Sequence, residues 1–198
     1  MGPATALALS LVALASEASA GPSVIFDTTR LGASLAAWRA APPPPGIDPT
    51  ARPLCSNDPV LAAAKPNPLS GESGPTSGLA CGYFSVLGRY ALWAQLPLVG
   101  PFRATRVRFL FRGGRLADVD CDASIDAFND LTAFLDQTDG PPVEAVRDVT
   151  GSKPERFAQV RMTWARAGSI IQLTDPAPPD YDHLDVRIEA PPASWASR

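Results

Sequence analysis

The segment that most constrains this chain is RATRVRFLF-RGG-RLADVDCD, Arg103 to Asp122, two strongly alternating stretches joined through a glycine pair. Side chains alternate across a strand, so Val107, Phe109 and Phe111 share one face of the first arm. Ala117, Val119 and Cys121 share one face of the second. A two-residue loop would set Phe109 across from Asp118, leaving a phenyl ring in water or a carboxylate in the core. An odd loop around Gly113 and Gly114, such as a three-residue turn with Gly in the left-handed region, puts both apolar sets on one side. The same registers place Arg106 and Arg108 opposite members of Asp118, Asp120 and Asp122. The hairpin is therefore a ribbon with one apolar and one charged face.

The apolar face needs a cover, and two segments have the helical spacing to supply it. In RLGASLAAWRAA, Leu31, Leu35 and Trp38 recur at helical intervals, Ser34 is an N-cap, and Pro42 to Pro45 end the helix, which is expected near 33–41. In SIDAFNDLTAFLDQ, Ser124 is the cap and Asp126 complements the dipole. Ile125, Phe128, Leu131 and Leu135 form one stripe, and Asp139-Gly140-Pro141-Pro142 is the stop. Further strands are expected over Tyr83 to Leu98, bent at Gly88, and, after a polar loop, over Arg156 to Ala165, Ser169 to Thr174 and His183 to Ala190. The class is α+β with two layers: an antiparallel sheet of about six strands carrying two helices on one face. The order of helix, loop and three strands, met twice, raises an α-β-β-β pseudo-repeat. The opposite face should expose Arg106, Arg108, Asp118, Asp120, Arg161, Asp185, Arg187 and Glu189.

From Pro42 to Ala80 the chain is rich in Pro, Gly, Ser and Ala and reads as one long loop, 42–80, with at most a helical turn around Val60 to Ala64. Cys55 and Cys81 bracket most of it and are expected to form a disulfide, with Cys121 left as a buried thiol in the strand core. A Cys81–Cys121 pairing is the competing reading. Trp38, Trp93 and Trp164 read as core residues first and as a ligand platform second.

Ahead of these elements, Ala6 to Ala15 is an apolar run followed by an A-x-A site at Ala18 and Ala20, the pattern of a cleaved signal peptide over 1–20. The mature part, 21–198, is expected to be a single α+β domain, free in the periplasm or medium. No run approaches the roughly 20 apolar residues of a membrane helix, so no membrane insertion is expected. Oxidising export also suits the disulfide. The 17 basic and 20 acidic residues are interspersed and give a net charge of −3, which lacks the footprint of a nucleic-acid-binding chain.

Dedicated catalytic chemistry is scarce. His183 is the one histidine in the sequence and reads as a surface residue after a loop. No nucleophile elbow, phosphate loop or dinucleotide fingerprint occurs, Gly71 to Gly74 (GESG) reads as a flexible loop, and the three cysteines lack zinc spacing. Asp118 to Asn129, DVDCDASIDAFN, partly matches a calcium loop. However, Ala123 stands at the tight-turn glycine position and Asn129 at the bidentate glutamate, so Asp118 to Asp126 are expected to be structural. No catalytic residue, metal ligand or cofactor is expected.

The leader, the L-G-x-S-L helix at Leu31 to Leu35, the G-R-L hairpin at Gly114 to Leu116 and the helix before D-G-P together resemble small uncharacterised secreted bacterial proteins. More distantly, the chain is similar to the helix-plus-antiparallel-sheet repeats of the β-lactamase-inhibitor and outer-membrane-assembly lipoprotein families. That resemblance implies a noncatalytic binding role. The expected function is an envelope or secreted binding module for a protein or cell-wall component, with an enzyme inhibitor and a hydrolytic enzyme as alternatives. Protein recovered from the periplasm or medium should begin at Gly21 on N-terminal sequencing; a cytoplasmic product starting at Met1 would refute export.

Overall fold

In a computed structural model the chain is described over residues 30–70, 78–150, 157–176, 182–192 and 195. The expected leader, the GESG segment and part of the last loop lie outside them. Among the described residues, ten strands form one antiparallel sheet where about six were expected. They are β1 Arg52–Cys55, β2 Leu79–Leu87, β3 Tyr90–Trp93, β4 Leu96–Val99, β5 Phe102–Arg112, β6 Arg115–Ser124, β7 Glu144–Thr150, β8 Phe157–Arg166, β9 Ser169–Asp175 and β10 His183–Glu189. The main path is β1-β2-β5-β6-β10-β9-β8-β7, with β3 added to β2 and β4 to β5. The α-helices among the described residues are α1 Leu35–Ala40, α2 Pro59–Ala63 and α3 Phe128–Asp139.

Each additional strand has a local cause. The Tyr83 to Leu98 run is not one bent strand: Gly88 has a φ of 60°, and Leu87 sits opposite Tyr90 across a two-residue turn. The chain folds back as β3 and then departs to pair β5 as β4. The stretch read as a polar loop before β8 is β7, an end strand whose charges suit an uncovered edge. Four strands therefore follow α3, not three. β1 is the other end strand and tolerates Pro53 for the same reason.

The β5–β6 hairpin keeps the expected register through its body, with Phe109 opposite Val119 and Val107 opposite Cys121. Its tip departs from expectation. Arg112 sits opposite Arg115 across a two-residue turn in which Gly113 and Gly114 have φ of 57° and 75°. A bulge at Ala117 on β6, between Leu116 opposite Phe111 and Asp118 opposite Leu110, absorbs the extra residue and shifts the ladder by one. Leu116 consequently replaces Ala117 in the core.

The apolar face of this ribbon forms the main core, and α1 and α3 both pack on it. Trp38 of α1 meets Tyr83, Phe109 and Phe111 at ring-centroid distances of 5.4, 5.0 and 5.5 Å. Ser34 caps the helix, its Oγ accepting from the Ala37 N–H at 3.1 Å. Leu131 and Leu135 of α3 are fully buried, and Trp164 beneath them donates its indole N–H to Asp136 at 2.9 Å. Ser124 caps a 3-10 turn over Ile125–Ala127 that precedes α3. That turn rotates Ile125 out of the expected stripe to 44% exposure and buries Ala127 instead.

The 42–80 segment is not simply a loop. It contributes β1 and α2, and Leu54, Leu61 and Leu69 join Ala80, Phe84 and Ala91 in a second cluster. This cluster lies on the sheet face opposite the main core. Gly82 is required there, because a Cβ at that position would lie 2.4 Å from the Trp93 ring that packs over it. The Cys55–Cys81 disulfide joins residues directly opposite on β1 and β2, with Cα atoms 3.9 Å apart. Cys121 is a free, buried thiol. Closing a separation of 26 residues should contribute about 3–4 kcal/mol. Urea unfolding of the Cys55→Ala/Cys81→Ala double variant should show a loss of that order; an unchanged midpoint would mean the second cluster alone holds the segment.

Candidate functional site

Beyond the second cluster, the face opposite the main core opens into a cleft of about 320 Å³. Five strands supply its walls: Arg106 from β5; Asp120 and Asp122 from β6; His183, Asp185 and Arg187 from β10; Gln172 and Thr174 from β9; Gln159 and Arg161 from β8. Every lining side chain is polar. The pattern follows from strand alternation, since the residues between these positions on β5, β6, β9 and β10 fill the main core. Arg106, Asp120, Arg161, Asp185 and Arg187, five of the residues expected on the charged face, come together here. Arg108, Asp118 and Glu189 lie outside the lining.

The face is less exposed than expected because guanidinium groups lie over the carboxylates. Arg106 pairs with Asp122 at 2.9 Å, Arg108 with Asp120, and Arg112 with Asp118 at 3.2 Å. Asp120 retains only 8% exposure. His183 is a wall of the cleft and not merely a loop end: its Nδ1 lies 2.9 Å from the Asp182 carboxylate and its Nε2 4.0 Å from Asp122.

Asp185 is the member of this group that sequence reasoning left without a role. It sits directly across β10–β6 from Asp122, and carboxylate oxygens of Asp120, Asp122 and Asp185 lie within 4.8 Å of one another. Like charges in this position repel, so the group relies on Arg106, Arg108 and a proton. Burial, then the hydrogen bond to Asp120 and its charge, push the Asp185 carboxyl up to about 8, against the pull of Arg187. Burial acts on Asp120 in the same sense, but the hydrogen bond with Asp185 and the charges of Arg108, Arg187 and Arg106 outweigh it and hold Asp120 below the usual range. Asp185 thus carries the proton that the pair shares. The only sequence signal was the alternation of Asp185 with Arg187, which cannot show that β10 pairs with β6.

A second surface feature lies at the β2–β3 hairpin, where Leu87, Tyr90 and Leu92 are 62%, 47% and 53% exposed on one face. Cys121 lies on the core side of β6, and burial raises its thiol well above the ordinary value. Among the described residues no helix is long and apolar enough to cross a membrane. Neither a family model, nor a curated protein, nor a solved structure matches this chain, so the cleft's own residues carry the functional reading.

The shared proton has a stability consequence. Folded Asp185 holds its proton to about pH 8, whereas the unfolded chain releases it near the ordinary value of 3.8. The folded state binds more protons between those limits, so this contribution is complete below the lower one and is lost as pH rises through the upper. Urea denaturation should therefore show a smaller loss of stability from pH 5 to pH 9 in Asp185→Asn than in the wild type. Equal losses would place the proton elsewhere.

Proposed function

We propose that this chain is an exported, noncatalytic binding module of the bacterial cell envelope, and that the polar cleft takes hold of a cell-wall component. The observation that carries this reading is the cleft's lining, in which guanidinium, carboxylate, amide, hydroxyl and imidazole groups converge without an apolar side chain. Drug-like and cofactor pockets are mostly apolar; a wholly polar cleft suits a hydroxyl- and amide-rich ligand that exchanges its hydration for fixed hydrogen bonds. The Cys55–Cys81 disulfide supports a periplasmic or secreted location.

One observation favours a second reading, a hydrolytic enzyme. Asp120 and Asp185 share a proton, which is how paired carboxyl groups divide acid and base roles. Against it, Asp120 is buried and held by Arg108, which leaves it poorly placed to reach a substrate. The exposed Leu87, Tyr90 and Leu92 surface is where an inhibitor or assembly role would find its protein partner.

Mature protein incubated with insoluble peptidoglycan sacculi separates these readings. Cosedimentation without release of soluble fragments is expected of the module. Soluble fragments appearing with the wild type and not with Asp185→Asn would establish the hydrolase. Failure to sediment, together with stoichiometric capture of one enzyme after crosslinking in the envelope, would establish the inhibitor.

A further inference from the structure

The charges of the cleft do not balance. Of its three guanidinium groups, Arg106 is engaged by Asp122 at 2.9 Å, and Arg187 lies in the field of Asp118, Asp120 and Asp185. Arg161 forms no ion pair among the described residues and is exposed. Of the three lining carboxyl groups, Asp185 holds the pair's proton at neutral pH. The cleft therefore carries an excess positive charge, concentrated at its β8 end.

The surroundings of Arg161 are those of an acceptor-seeking site. Thr174 is its direct partner on β9, and Gln172 lies two residues further along the same face. Gln159, two residues back on β8, gives its amide N–H to the Pro176 carbonyl at 2.8 Å and keeps its own oxygen as an acceptor. On the other side, Glu144 and Asp148 of β7 share this face, but both are exposed and stand beyond ion-pairing distance of Arg161. A planar guanidinium fork with an amide and a hydroxyl beside it matches a carboxylate, which takes two parallel hydrogen bonds. A more highly charged phosphate would have one unengaged cation to hold it, in a cleft whose β6 side carries the carboxyl groups of Asp120 and Asp122. The remaining walls alternate donors and acceptors and offer no apolar seat for a peptide side chain, which suits a polyhydroxylated ring.

We propose that Arg161 anchors the carboxylate of an acidic sugar, so that the cleft selects carboxylated glycan units over neutral ones. This rests on the cleft being the binding site, and it adds the ligand's charge and class. Asp185 sits across the cleft with Asp120 and Asp122 of β6, Arg106 and Arg108 of β5, and His183 and Arg187 of its own strand. Loss of its proton adds a negative charge to that set, so binding should weaken as pH rises through about 8.

The test is an NMR titration of the mature protein with D-glucuronate, D-glucose and inorganic phosphate, following the backbone amides of residues 159–161 and 172–174. Saturable shifts with glucuronate alone are expected. Arg161→Gln should weaken them about tenfold or more, as loss of a charge-assisted hydrogen-bond pair requires, and Arg161→Lys should restore part of the affinity. Because Arg161 is exposed, both variants should keep the wild-type amide spectrum elsewhere. Equal binding of glucose, or unchanged glucuronate affinity in Arg161→Gln, would overturn the carboxylate anchor while leaving the cleft as a binding site. Phosphate binding as tight as glucuronate would overturn the sugar-acid assignment. Absence of saturable shifts from every probe would overturn this inference, whereas the sacculus experiment tests the cleft reading separately.

Discussion

The β5–β6 register is the constraint on which the rest depends. Side chains in a strand have a period of two, so slipping this pair by one residue would turn Val119 and Cys121 to the water and Asp118 and Asp120 to the core. The two-glycine turn by itself would impose that slip. The bulge at Ala117 corrects it over Arg106 to Leu110, the stretch that faces Asp118 to Asp122, and a second shift between Ala104 and Arg106 ends that stretch. β10 pairs with β6 in the register that sets Arg187 against Asp120 and Asp185 against Asp122, and β9 and β8 extend the same rows. The cleft thus rests on one short stretch of β5–β6 register, bounded by two irregularities and continued in rows across β10, β9 and β8.

Strong periodicity made the hairpin, α1, α3 and the last three strands legible in the sequence, because each is long enough to show its repeat against a single core face. The 42–80 segment defeated that reading. Leu54, Leu61 and Leu69 are separated by seven and eight residues with Pro59, Pro66 and Pro68 between them, so no continuous strand or helix repeat runs through them, and they meet because β1, α2 and the following turn wrap one patch of β2. β7 was missed because an end strand needs little apolar content, and its EAVRDVT sequence reads as polar loop. Position along the chain favoured the Cys55–Cys81 pairing over Cys81–Cys121: one cysteine belonged to an apolar strand face, and the other two bracketed a segment poor in hydrophobic residues.

The site was half legible. Alternation put Arg106, Asp120, Arg161, Asp185 and Arg187 on the face away from the helices, but a one-dimensional pattern cannot say which strands are neighbours. The proximity of Asp185 to Asp120 and Asp122 arises from β10 entering the sheet beside β6, a pairing between strands separated by α3 and three other strands. The burial of Asp120 was missed for a related reason. Charged residues on a sheet surface are ordinarily solvated, and only the crowding of arginines from an adjacent strand submerges this one.

Cys121 gives the fold an internal reporter. Its strand lies between β5 and β10, bonded on both sides, and its thiol points into the main core at 1% exposure. No loop movement or edge fraying uncovers it; the sulfur meets solvent only when the centre of the sheet separates. Because burial also keeps the group as a thiol, its chemistry in the folded molecule is silent. The rate at which it reacts therefore clocks the rarest opening of the structure, on the face directly behind the carboxylates of the cleft.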